Sequence, residues 1–371
     1  MSKTLQDYAT LINDTIQSNE INHYITTDNM CQNLGGIDTF KNINIPQGKV
    51  RSFQKDDVLL SNIRLYFRKV YRAKQKGGCS SDVLVFRAKH IDSATLFAIL
   101  SSQIFTDYAC SGSQGSKMPR GNKTHMMDFK IPTINFTIAK IFNNIQNKIE
   151  NNHKINELLH KILELLYEQY FVRFDFLDEN NKPYQTSGGK MKFSKELNRL
   201  IPNDFEVKTL GELTQLKVGN KNANHSSNQG KYPFFTCSNN PLRCETYQFE
   251  GKHIIISGNG NFYVTHYDGK FDAYQRTYAV SPNNPNHYVL IYLFVKSYTN
   301  YLKLQSRGSI IKFITKSDIE NIKIVLPNLK TYAKWNNVLK MIENNIQSTQ
   351  TLTVLRDFLL PLLLKQQVKP Q

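Results

Sequence analysis

With 371 residues, 40% of them apolar, the chain is long enough for two ordinary domains with real cores, and its composition excludes wholesale disorder. A net charge of +17 points to a polyanionic partner, plain solubility being the alternative. Cys31, Cys79, Cys110, Cys237 and Cys244 form no C-x-x-C pair, the opening Met1-Ser2-Lys3-Thr4 carries no secretory signal, and no apolar run reaches the roughly 18 residues of a bilayer span. A reducing cytoplasm is the expected location.

Residues 1–133 read as a mixed α/β lobe. Asp57 to Arg64 has the look of a buried strand with a polar, basic end, and Asp82 to Arg87 follows the turn signal Gly77-Gly78 as a second. An apolar helix is predicted over Ser93 to Phe105, then a loop from Ser111 to Lys123 whose glycines, hydroxyls and cations suit phosphates or base edges. A merely solvated loop is the bland reading.

Residues 134–176 read as one long helix, with a stripe at Ile134, Ile138, Ile141, Ile145, Ile149, Ile155, Leu159, Ile162 and Leu166 and no Gly or Pro. At about 1.5 Å per residue it would span on the order of 60 Å and need an equally long partner. Residues 177–204 are expected to be a linker, polar and rich in turn formers from Asp178 to Lys190.

A second lobe is expected over 205–328, with strands near 232–237, 253–257, 261–265 and 273–278, a helix from Tyr288 to Leu304, and the Gly-centred basic loop Gln305 to Lys316. Residues 329–371 then form the second long helix and a tail. Both helices follow a proline, Pro132 and Pro327, and both contain Ile-Glu-Asn-Asn, at Ile149 and again at Ile342. The copies lie 193 positions apart and in phase with the whole order of parts, which argues for an internal duplication. Charge divides as +6 for residues 1–133, −2 for 134–180, +9 for 181–328 and +4 for 329–371. The lobes, more than the first helix, would meet the polyanion.

Catalytic signatures are missing. None of the nine histidines sits in an H-x-x-x-H or H-E-x-x-H spacing, so no metal is expected. Gly258-Asn259-Gly260 lacks the third glycine of a dinucleotide fingerprint, and there is neither a phosphate-binding G-x-x-x-x-G-K-[ST] loop nor an Asn-Pro-Pro-aromatic motif. Asp204 and Glu206 lack the spacing of a nuclease's metal cluster.

Motifs in combination carry a family likeness. In the first lobe they are Tyr24 to Met30, Asp57 to Arg64, Gly77 to Leu84 and Gly115 to Gly121; in the second, Tyr232 to Ser238, Gly258-Asn259-Gly260, Phe271 to Tyr278 and Gln305 to Ser309, followed by the tail Leu355 to Leu363. The chain resembles a specificity subunit of a type I restriction-modification system. One departure is that the first lobe lacks the Leu210-Gly211-Glu212-Leu213 opening of the second.

The resemblance implies an α/β (α+β) fold of two similar target-recognition lobes joined by two long antiparallel helices, an internal duplication with pseudo-two-fold symmetry. It implies a non-catalytic subunit without cofactors, each lobe reading half of a bipartite site in double-stranded DNA. The helices would dock two methyltransferase subunits, and restriction subunits would join the full complex. Candidate contacts are Arg64, Arg68, Lys117, Arg120 and Lys123 in the first lobe, and Asn259, Asn261, Tyr274, Gln275, Arg276, Arg307 and Lys312 in the second. Arg276 as a stacked core cation and Tyr274 as a packed aromatic remain the structural alternatives. The competing functions are a solitary nuclease or methyltransferase, or a scaffold binding nucleic acid without sequence preference. Asn152 falls on the stripe and is expected to fix helix register, and helix length to set the gap between half-sites.

Overall fold

A computed structural model describes residues 3–364 except 40, 42, 132, 228, 239 and 328–331. Pro132, the start of the second long helix before Tyr332 and the tail beyond Leu364 therefore lie outside the described residues. The chain divides into two compact units, Met1–Ile155 with Asn344–Gln371, and Asn156–Glu343.

In the first unit an antiparallel sheet runs in the order Ala9–Ile12, Val83–Ala88, Val58–Ser61, Val70–Arg72. Its central strands are apolar on both faces because both are covered. Val58, Leu60, Leu84 and Phe86 pack with Leu96, Phe97 and Leu100 of the helix Ser93–Ser101, whereas Leu59, Val83 and Val85 join a separate core with Ile25 and Phe53. Alternation along the strands thus feeds two cores. A second sheet orders Thr15–Gln17, Lys49–Phe53, Gly77–Cys79 and Tyr24–Ile25, the last two parallel.

The second unit repeats the plan. Thr214–Val218, Thr277–Pro282, Lys252–Ser257 and Val264–Asp268 form the antiparallel sheet, and Leu242–Cys244, Tyr232–Phe235 and Asp272–Ala273 a smaller one, again with a parallel pair. The helix Tyr288–Ser297 is buried over Tyr288 to Leu293 and packs on the first of these sheets through Ile254, Ile256 and Val280.

Several expectations change, the helix expected from Tyr288 to Leu304 among them, which is two, Tyr288–Ser297 and Thr299–Gln305. The first lobe does have its opening: Thr4 begins the short helix Leu5–Tyr8, and the Asp7 carboxylate accepts from the Thr4 N–H at 2.6 Å and its hydroxyl at 3.0 Å. Glu212 does the same for Thr209, at 2.6 and 2.8 Å, ahead of Leu210–Leu213. A Thr-x-x-acid capping box survives where the Leu-Gly-Glu-Leu letters do not. The helix predicted over Ser93 to Phe105 is two, Ser93–Ser101 and Gln103–Ser111, because extended Ser102 ends one and its hydroxyl caps the other.

The first long helix spans Phe136–Tyr167 and gives way to a π turn, Glu168–Val172, before left-handed Phe174, so it stops short of Phe176. Ile141, Ile155 and Ile162 of its expected stripe are exposed, while Phe142, Ile145, Ile149 and Leu163 are buried. The expected linker is folded: Met191–Ser194 pairs with Arg199–Pro202, and Tyr184 stacks on Phe176, with ring centroids 4.8 Å apart. Its aromatics outweigh its polar composition.

The second long helix is Tyr332–Leu363. Within the first unit it runs antiparallel to the first helix, since Gln146 meets Arg356 (3.1 Å) and Asn152 meets Thr349 (3.1 Å). Within the second unit the sense is the same, with Asn156 near the Ile342 carbonyl and Phe171 edge-on to Trp335 at 5.2 Å. No helix of the described residues is long and apolar enough to cross a membrane.

Candidate nucleic-acid interface

Each unit holds three loops together with the same set of main-chain hydrogen bonds. In the first, Asn62 N–H donates to the Asp82 carbonyl (2.7 Å), Gly121 N–H to Asn62 (3.1 Å) and Arg64 N–H to Pro119 (2.9 Å). In the second, Gly258 N–H donates to Arg276 (2.7 Å), Ile314 N–H to Gly258 (2.9 Å) and Gly260 N–H to Lys312 (2.9 Å). Arg64 and Gly260 both take positive φ, 50° and 71°. The frame imposes a left-handed residue, which Arg64 tolerates at a cost that glycine avoids.

From each frame projects a hairpin finger. Gln114 and Arg120 exchange both main-chain hydrogen bonds, at 2.9 and 2.8 Å, as do Arg307 and Phe313, at 3.0 and 2.8 Å. Both fingers turn on a left-handed glycine, Gly115 (φ 98°) and Gly308 (φ 101°). Their tips are exposed: Lys117 and Met118 in the first, Ile310 and Ile311 in the second.

The second unit gathers nearly all its predicted residues around this frame. Arg276 is exposed with its guanidinium 5.9 Å from the Phe313 ring centroid, so it is a surface cation on an aromatic platform and not the core cation of the alternative reading. Gln275 and Lys312 are exposed beside it, Asn261 is exposed and donates to the Tyr263 hydroxyl (3.0 Å), and Tyr274 is half-buried. Asn259 pairs with Phe313 at the base of the finger, its buried Oδ1 without a hydrogen-bond partner among the described residues. Arg307 is committed to Asp318 at 3.0 Å. Sequence reasoning missed Lys221, which the structure brings to the same edge: its carbonyl accepts from Gln275 N–H at 2.9 Å. The separation of 54 positions between Lys221 and Gln275 leaves no local signal for that contact.

The first unit splits its candidates. Lys117 and Lys123 are exposed, the latter opening the short helix Lys123–Met127. Arg120 is exposed but paired with Asp82 at 3.1 Å. Arg64 is half-buried, with Nε enclosed. Arg68 points inward and donates to the Ser101 carbonyl at 2.9 Å, fastening the turn Leu65–Phe67 to the end of the helix Ser93–Ser101. Its proximity in sequence to Arg64 concealed that fold-holding contact.

One cluster escaped the search for metal ligands by spacing. His225, Cys244 and Asp272 bring a ring nitrogen, a thiol and a carboxylate oxygen within 4.8 Å of one another. They stand on three separate segments of the second unit.

Comparison with known proteins fits this architecture. Residues 202–354 match the model of the type I restriction modification DNA specificity domain. The EcoDI type I restriction enzyme specificity subunit of Escherichia coli is 37% identical over 133 residues, 34% of this chain, and the chain spans only 29% of that subunit. The MjaIX specificity subunit of Methanocaldococcus jannaschii is 24% identical over 298 residues, 72% of this chain and 67% of that one. A crystal structure of the S subunit of a type I restriction-modification system from M. genitalium has the same fold, with a TM-score of 0.61 at 16% identity, over 99% of this chain and 96% of that one. By the matched domain and by these relatives, the chain is similar to the specificity subunits of type I restriction-modification systems.

Proposed function

We propose that this chain is the DNA-reading subunit of a type I restriction-modification complex in the cytoplasm, recognising sequence while partner subunits methylate and cleave. The twice-built frame of three loops and a hairpin finger carries the reading. Each copy presents exposed side chains on a rigid main-chain scaffold, as groove recognition requires. Lys221, Arg276 and Lys312 in the second unit, and Lys117 and Lys123 in the first, would neutralise phosphates. Gln275, Asn261 and the finger tips would meet base edges.

The two long helices would act as spacer and as docking surface for two methyltransferase subunits, with restriction subunits joining through them. Exposed Leu158, Ile162 and Leu165 on the first helix, and Val354, Leu355 and Phe358 on the second, support that role, because apolar side chains at 44–72% exposure are the usual mark of a protein interface. Residues 1–133 and 205–328 would be the two target-recognition domains, residues 177–204 a folded connection. Methylation by the chain reconstituted with its cognate methyltransferase should be confined to one bipartite sequence. Exchange of residues 206–327 for another lobe should alter one half-site alone, and random modification or change in both halves would overturn the reading.

A further inference from the structure

Asp272 is fully buried, yet among the described residues no lysine or arginine pairs with it. Its Oδ2 lies 3.1 Å from His225 Nε2 and 3.9 Å from Cys244 Sγ, and accepts from the Thr246 hydroxyl at 2.5 Å. Its Oδ1 has no hydrogen-bond partner among the described residues. Burying a carboxylate without a full complement of donors or a nearby cation is costly, so the arrangement asks for a positive charge. Cys244 is buried too, and its thiol donates weakly to the Thr246 carbonyl at 3.2 Å.

The repeat sharpens the point. In the first unit Tyr24 and Ile25 pair with Gly78 and Cys79; in the second Phe234 and Phe235 pair with Asp272 and Ala273. Gly78 therefore stands where the second unit places Asp272. The fold needs no carboxylate at this position, and the second unit has added one facing an imidazole and a thiol.

We propose that His225, Cys244 and Asp272 form a structural zinc site in the second unit, with the Thr246 hydroxyl or a water as fourth ligand. One nitrogen, one sulfur and one oxygen donor are zinc's habitual set. With bonds of about 2.0 Å to nitrogen and oxygen and 2.3 Å to sulfur, tetrahedral ligands sit roughly 3.3 Å (N to O) and 3.5 Å (S to O or N) apart; the N–O and S–O separations lie within a few tenths of an ångström of these, and the nitrogen and sulfur, within 4.8 Å of each other, would close up on binding. Binding displaces the thiol proton to solvent and uses the Nε2 lone pair of the Nδ1–H tautomer, so a neutral imidazole, a thiolate and a carboxylate balance the dication's charge.

The ion would clamp the turn Ala223–His225, the end of the strand Leu242–Cys244 and the start of Asp272–Ala273, which leads directly into Tyr274, Gln275 and Arg276. Zinc would thereby stiffen the recognition edge of this unit, a consequence that rests on the DNA-reading proposal, whereas the site itself does not.

The test is metal content of the full chain purified from zinc-supplemented cells. About one zinc per chain is expected, falling below roughly one tenth in Cys244→Ser and Asp272→Asn and unchanged in Cys110→Ser. Cobalt added to stripped protein should give visible d–d bands and a near-ultraviolet thiolate-to-cobalt band. If either ligand variant fails to fold, the cobalt spectrum of the native sequence and its loss in His225→Ala, at a partly exposed turn, decide the matter. Native protein without zinc or a cobalt spectrum, or Cys244→Ser that keeps both, would leave an ordinary buried polar network in place of the site.

Discussion

Asn152 donates to the Thr349 hydroxyl at 3.1 Å, and both are buried where the two long helices pack in the first unit. Among the described residues the Asn152 Oδ1 has no partner, so the contact half-satisfies a polar group that leucine would replace at little or no cost. Its expected use is to select one helix register, as buried asparagines do in coiled coils. Asn152→Leu should leave the urea midpoint unchanged or raise it, by up to about 2 kcal/mol in stability, while sequencing of methylated sites reports more than one half-site spacing. A single unchanged spacing would remove the register role.

Charge pairing separates the basic residues around the second finger. Arg307 is held by Asp318, whereas Arg276 and Lys312 are exposed without an ion pair among the described residues. Arg276→Ala and Lys312→Ala should each lower DNA affinity and reduce the slope of log affinity against log salt by about 1. Arg307→Ala should change that slope less, since its charge is already partly neutralised. Filter-binding or anisotropy titrations at several salt concentrations check the order, and equal slopes for all three variants would contradict it.

Asp57 is 2% exposed and receives two hydrogen bonds from Arg87, both 2.8 Å, and one from Gln54 N–H, also 2.8 Å. Removal of the carboxylate strands Arg87 and frees the turn that precedes the central strand Val58–Ser61. Asp57→Ala should therefore destabilise the protein by about 3 kcal/mol, read as a lowered urea midpoint. Asp82→Ala, which breaks only the exposed pair with Arg120, should cost well under about 1 kcal/mol.

The duplication was legible because helices and glycine turns leave marks at fixed spacing: Ile-Glu-Asn-Asn recurs, and Gly115 and Gly308 turn matching fingers. What stayed hidden was set by contacts distant in sequence. Lys221 reaches the edge formed by Tyr274, Gln275 and Arg276 through the Gln275 N–H, and Arg68 turns inward because the Ser101 carbonyl lies within reach. The opening of the first lobe was missed by matching letters when the conserved physics is an acid three residues after a threonine. The extended Ser102 inside an apolar run was a local signal overlooked: a serine before a second helical turn is a cap.

His266 carries the clearest pH dependence. It is largely enclosed beside His160, Tyr292 and Glu343, with Lys252 and Lys296 nearby, and burial pushes its pKa down to about 4 despite a Glu343 oxygen at 3.9 Å. The unfolded imidazole titrates near 6.5, so between the two values the unfolded chain holds the extra proton. Stability from this group is full above pH 6.5, falls as pH drops through the window, and levels off below about 4, a loss of roughly 3 kcal/mol. His160, also lowered by burial, adds a contribution of the same sign. Because carboxylates titrate in the same range, the measurement is the difference between the native sequence and His266→Gln in urea midpoint at pH 7.5, 6 and 5. The native protein should lose its advantage progressively toward acid, and a difference independent of pH would mean that His266 is not buried neutral.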